Sequence, residues 1–166
     1  MKIDIAKLKK VQTPKEKMDS LQKPGKRKKG QKAKSALQKK KDNPNSGYWK
    51  KKADEAWGAY QHHFHRYCIV NNESCAGPIN QHHLITRGNV VLRHSIENGA
   101  ALCVYHHLYS PTCSPHCGPI GFTKFLQEHY PAKYEWVLKN QHKTGNYNYK
   151  ESCEILTELI ELDKYE

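Results

Sequence analysis

The chain has 166 residues, with 28 Lys and Arg against 16 Asp and Glu, a formal net charge of +12 at pH 7. That length suits one core plus appendages, since domains commonly run about 100–150 residues. No apolar run approaches the roughly 18–20 residues of a membrane span, and Lys7, Lys9 and Lys10 interrupt the only candidate signal core, so a cytoplasmic protein is expected rather than a membrane or secreted one.

The charge is unevenly placed. Residues 1–52 carry 19 Lys and Arg and four acids (Asp4, Glu16, Asp19 and Asp42), leaving nine Lys and Arg against twelve acids for residues 53–166. A basic arm therefore precedes a slightly acidic body. The stretch Lys23 to Lys41 holds no aromatic residue and buries too little to offset the entropy of ordering it. Residues 1–46 are thus expected to be a disordered Lys-rich arm, with Ile3, Ile5 and Leu8 supporting at most a short helix near residues 3–12. Its surplus of positive charge, dense at Lys26, Arg27, Lys28 and Lys29, points to a polyanionic partner.

Asn43 to Gly47 reads as a turn, with Asn45 or Ser46 as a helix cap. The spacing of Trp49, Ala53, Ala56, Trp57, Tyr60, Phe64 and Tyr67 predicts a helix over 48–67 whose aromatic stripe is core. His62, His63 and His65 fall near its end, where cationic side chains suit the helix dipole. Further helices are expected over 120–129 (Phe122, Phe125, Leu126), from Pro131 (Tyr134, Val137, Leu138), and over 150–164 (Ile155, Leu156, Leu159, Ile160). They read as a packing layer, which divides the body into 47–130 and 131–166.

Ten of the eleven His lie between His62 and His129, and all six Cys lie beyond the arm. In a reducing compartment such clustering indicates metal ligation rather than disulfides. Cys68 and Cys75 form one pair. Cys103 and His106 form another, beginning 28 residues after Cys75. Two short loops with two ligands each are how a chain builds a closed tetrahedral structural zinc site. Cys113 and Cys117 are a second candidate pair: they replace Cys68 and Cys75, bind another metal with His116, or take no part. Cys153 reads as a small hydrophobe.

Between these loops stand His82-His83, Asn98-Gly99 and His106-His107. This order resembles the HNH family of nucleases, with QHHLITR matching its first strand, ENGAALC its Asn-bearing second part, and CVYHH its run into a helix. The R-x-x-x-x-N-G element from Arg93 to Gly99 makes the phage-type members the nearest likeness, and the resemblance spans roughly residues 57–130. It implies an α+β fold: a small ββα-metal (His-Me finger) core at 68–117 with a structural zinc, packed by several helices. It also implies metal-dependent endonuclease activity, hydrolysing DNA phosphodiester bonds by nicking or double-strand cleavage, in the cytoplasm of a bacterial host.

By the same resemblance His83 is the general base that activates water. His82 and His107 hold one divalent cation (Mg²⁺, Mn²⁺, Ni²⁺ or Zn²⁺), and Asn98 orients the base or supports the metal. His116 is a further candidate ligand. His106 stands where many relatives have Cys; either zinc accepts it, or it competes with His107 for the catalytic cation. Arg87 and Arg93 lie beside the site and either clamp the phosphate or serve the surface, Arg93 by pairing with Glu97. DNA is the expected partner; a targeting protein and the oligomeric state are left open. The competing readings are a non-catalytic zinc-stabilised nucleic-acid-binding module and, from the arm alone, a ribosomal type of RNA-binding protein.

Overall fold

Two serines open the first two helices. The computed structural model describes residues 34–165. Ser35 accepts a hydrogen bond from the Gln38 backbone N–H and caps α1 (Ala36–Asp42), whose last turn carries Lys39, Lys40 and Lys41. The expected disorder is therefore corrected for residues 35–46. A serine cap, lysines at the negative end of the helix dipole, and the Trp49 indole donating to the Lys41 carbonyl at 2.8 Å hold this segment. The expected helix near 3–12 and the residues Lys26, Arg27, Lys28 and Lys29 lie outside the described residues.

Ser46 caps α2 (Gly47–Phe64), which buries Ala53, Trp57 and Gln61. The helix ends three residues before the expected Tyr67. Gln81 donates to the His65 carbonyl there, and the chain turns away so that Cys68 enters the core. Phe64 and Tyr67 consequently stand 39% and 81% exposed, outside the predicted stripe.

The sheet is one antiparallel pair, β1 (Ile79–His83) and β2 (Gly99–Cys103), with Ile79 opposite Cys103 and His83 opposite Gly99. Every residue of β2 is buried. Gly99 is required by close approach, because a Cβ there would collide with the Gln61 side-chain amide. A single π-helical turn, Tyr105–Tyr109, follows β2 directly. Then come α3 (Pro119–His129), α4 (Pro131–Asn140) and α5 (Tyr149–Asp163), the first two with proline where its missing N–H costs nothing. Helices with a small two-stranded sheet make the fold α+β.

The core gathers Cys68, Leu102, Cys103, Phe122 and Leu126, with Tyr130 and Tyr134 packed against it. The last three helices do not form one layer. α3 and α4 pack on each other, whereas α5 lies along α2, tied by His63 to Asp163 at 2.6 Å and by the Lys150 N–H to the Pro44 carbonyl. Nor does the chain divide at 130/131: Ser35–Glu166 form one compact unit, and Lys133 of α4 donates to the Gly99 carbonyl at 2.8 Å. Among the described residues no helix is long and apolar enough to cross a membrane.

Candidate metal centres and the cleft between them

Four ligand-type side chains converge at one end of the hairpin. Cys68, Cys75, Cys103 and His106 bring their ligand atoms within 4.8 Å of one another. His106 Nδ1 faces the three sulfurs at 3.6, 3.5 and 3.2 Å. Its other nitrogen, Nε2, lies 3.2 Å from Ser74 Oγ, which itself donates to Asn72 Oδ1 at 2.7 Å. With the ring proton on Nε2, Nδ1 keeps its lone pair for a metal, the arrangement in which a neighbouring acceptor sets the tautomer. The set is compatible with a bound metal ion such as zinc.

The wide loop Cys68–Cys75 has a local explanation. Asn71 takes a left-handed conformation at φ 44°, a region asparagine tolerates. The Asn72 side chain accepts from the Ser74 N–H, and its carbonyl from the Cys75 N–H. The six intervening residues thus deliver both a ligand and the serine behind His106. Burial pushes the Cys103 thiol up, but hydrogen bonds from the His106 and Ala76 backbone and from the Cys68 and Cys75 side chains together outweigh this and hold it below its ordinary value.

A second cluster sits where β1 and the π-helical turn meet. Ring nitrogens of His82, His107 and His116 also lie within 4.8 Å of one another, His82 Nδ1 and His107 Nε2 being 3.2 Å apart. Burial, then the neighbouring His107 and His116, pushes His82 down to about 3, so the ring is neutral and its lone pair is available at neutral pH. His116 reaches the cluster because buried Ser114 pins its loop, donating to the His107 carbonyl at 2.8 Å and accepting from the His116 N–H. Three imidazoles with convergent ring nitrogens are a donor set that fits a divalent cation. His106 and His107 are consecutive, yet their ring nitrogens fall in different clusters. Cys113 and Cys117 belong to neither; Cys113 packs against the core and Cys117 is exposed.

Successive strand residues face opposite sides, so His83 leaves the triad and stacks on Trp57, with ring centroids 3.8 Å apart. Its Nε2 lies 2.9 Å from the Arg93 carbonyl. That carbonyl can only accept, so Nε2 carries the proton and Nδ1 is unprotonated, accepting from Arg87 Nε at 3.5 Å. Burial lowers His83 to about 4, against the opposing hydrogen bond to the Arg93 carbonyl. Gln81, His82, His83, Thr86, Arg87, His107 and His116 line one open cleft of about 310 Å³.

Two expected site residues are placed differently. Asn98 is fully buried, and its side chain hydrogen-bonds to Ile85 and Leu92 rather than to His83 or the triad. Its amide donates to the carbonyls of Ile85 and Leu92 and accepts from the Ile85 N–H at 2.6 Å. It closes the 84–98 loop, and so sets His83 only through the backbone. Arg93 is not offered to a phosphate, nor is it paired with Glu97. Its guanidinium forms a two-pronged pair with Asp54 at 2.6 and 2.9 Å, and it is 9% exposed. Asp54 also meets His94 Nε2 at 2.7 Å, and His94 Nδ1 meets the Tyr147 hydroxyl at 2.8 Å. Burial pushes the Asp54 carboxyl up, but hydrogen bonds from Arg93 and His94 outweigh it and hold the group at about 2.

Ser74, Ser114, Trp57 and Asp54 all shape the clusters or the cleft without any motif announcing them. Only the helical stripe marked Trp57, and it marked it as core. No family model, no curated protein and no solved structure matches this chain.

Proposed function

We propose that this protein is a metal-dependent endonuclease of HNH type that hydrolyses phosphodiester bonds in DNA. The observation that supports this most is the shared cleft: three convergent imidazoles, a histidine whose Nδ1 lone pair meets only the exposed Arg87 side chain, and that arginine line a single open hollow. His82, His107 and His116 would hold the divalent cation, which supplies charge neutralisation at the phosphate and the leaving 3′ oxygen. His83 takes the proton of the attacking water at Nδ1, held in register by the Trp57 stack and the Arg93 carbonyl. Arg87 is exposed beside it and turns to the phosphate, freeing Nδ1. Cys68, Cys75, Cys103 and His106 hold a structural zinc, β1, β2 and the turn after them form the ββα-metal core, and the basic arm adds sequence-independent affinity.

One observation favours a second reading, the non-catalytic zinc-stabilised nucleic-acid-binding module. Asn98 closes a loop, a task that a scaffold also needs. The scaffold reading leaves the His82–His107–His116 convergence without a purpose.

Plasmid nicking decides between them. After EDTA treatment and re-addition of Mg²⁺ or Mn²⁺, wild type should convert supercoiled DNA. His83→Ala should lose roughly 100-fold or more, the usual contribution of a positioned base, while retaining its zinc. Equal nicking by both chains removes His83 from the chemistry. No nicking by folded, DNA-binding wild type favours the scaffold.

A further inference from the structure

The cleft over the imidazoles opens sideways into a second hollow of about 460 Å³, which shares His82, His83, Thr86 and His116 with it. Its far wall is apolar: Phe122 and Leu126 from α3, and Tyr134, Val137 and Leu138 from α4. Leu138 is 49% exposed at the mouth, and Thr86, Thr123 and Gln141 are the polar groups around it. Among the described residues no carboxylate lines it.

This volume is in the range of small-ligand sites, about 300–1,000 Å³, and an apolar lining with a few polar groups is how such sites are built. A phosphodiester at the imidazoles would carry its adjoining nucleoside to the edge of this hollow. The chemistry there suits a nucleobase: an aromatic ring and aliphatic side chains against its face, and Thr and Gln groups for its edge. A base within a duplex is stacked and paired, so it enters a concave pocket only when it is unpaired or extruded. We propose that the hollow receives an unpaired base next to the cleaved phosphate, so that the substrate is single-stranded or locally opened DNA. The inference rests on the nuclease reading for the position of that phosphate.

The test is binding of charge-matched strands to the full chain without added divalent cation, with strand integrity checked on a denaturing gel. A thymidine 12-mer should bind about tenfold tighter than an abasic 12-mer of equal phosphate number, within the range of base stacking on aromatic side chains. Val137→Trp fills the hollow and Gln141→Trp covers its mouth. Each should abolish that gap while leaving affinity for the abasic strand unchanged. Gln141 is exposed, so its variant decides the matter if Val137→Trp fails to fold.

Equal affinity for the two strands in wild type overturns the proposal, as does a gap that survives in the folded variants. Plasmid nicking separates the two failures. Nicking without a base-dependent gap sinks the hollow alone. A gap without nicking under any cation sinks the nuclease reading and leaves a single-strand binding site.

Discussion

The two ligand clusters share a hairpin and adjacent histidines but differ in donors and in solvent access. The Cys₃His cluster buries Cys68, Cys103 and His106 and leaves Cys75 exposed, uses sulfur for three of its four donors, and has Ser74 behind its imidazole. The imidazole cluster is all nitrogen, has His116 exposed, and opens into a cleft. A soft set of four donors suits a structural ion, and a set of three leaves a coordination position for a substrate. The π-helical turn separates them, because the fold of Tyr105–Tyr109 sends His106 inward to the sulfurs and His107 back over β1.

The sharpest way to break this contrast is to remove one donor from each. Cys103→Ser should lose the bound zinc and cooperative unfolding together. Structural zinc binding is on the order of 10 kcal/mol in small zinc domains, comparable with the whole stability of a domain. His82→Ala should keep one zinc per chain and a cooperative transition. Metal analysis and thermal unfolding would check both, and equal losses from the two variants would erase the distinction between a structural and an open site.

Asn98→Ala comes next. It leaves the Ile85 N–H and the carbonyls of Ile85 and Leu92 without their partner, a cost of about 3 kcal/mol by the usual penalty for unpaired buried groups. Urea unfolding would measure it. Both clusters keep all their donors, so zinc content should not change; lost zinc would mean that Asn98 supports a metal after all.

A smaller effect is expected behind the Cys₃His cluster. Ser74→Ala removes the acceptor at His106 Nε2 and should weaken zinc about tenfold in competition with a chelator, the lower end for second-shell partners. An unchanged affinity would mean that the sulfurs alone orient the ring.

The smallest is a pH effect remote from both clusters. The Asp54 carboxyl is held at about 2 against an ordinary 3.8. A depressed carboxyl stabilises the fold fully above its unfolded value, and that contribution fades as pH falls from about 4 to about 2. The gap in unfolding midpoint between wild type and Asp54→Asn should be constant above pH 5 and shrink across that window. Zinc loss in acid affects both chains alike, so a gap that ignores pH would remove Asp54 as the titrating group.

Much of the ligand grouping was legible because coordination chemistry restricts residue type and order. Cys68, Cys75, Cys103 and His106 meet as their spacing suggested, and His82 meets His107. The helices over 119–129 and 131–140 follow from local apolar periodicity, the second also from the proline at its start. Arg93 and Asn98 were misread for a common reason. A motif assigns a residue type to a position, but the partner comes from elsewhere in the chain. Arg93 found Asp54, 39 residues away on α2, and Asn98 found the two ends of a loop whose closure no local pattern reports.

The sequence by itself determined the charge asymmetry, the helical periods and the donor inventory, because each depends on residue type and near-neighbour spacing. Tertiary structure alone decided which histidine serves which cluster, since His106 and His107 are chemically identical and differ only in where one turn of backbone points them. It also decided that His83 stacks on Trp57 with its Nδ1 turned to Arg87, and that an apolar hollow adjoins the imidazoles. Those features arise where elements distant in the chain converge, and the contacts they form there have no counterpart in local sequence.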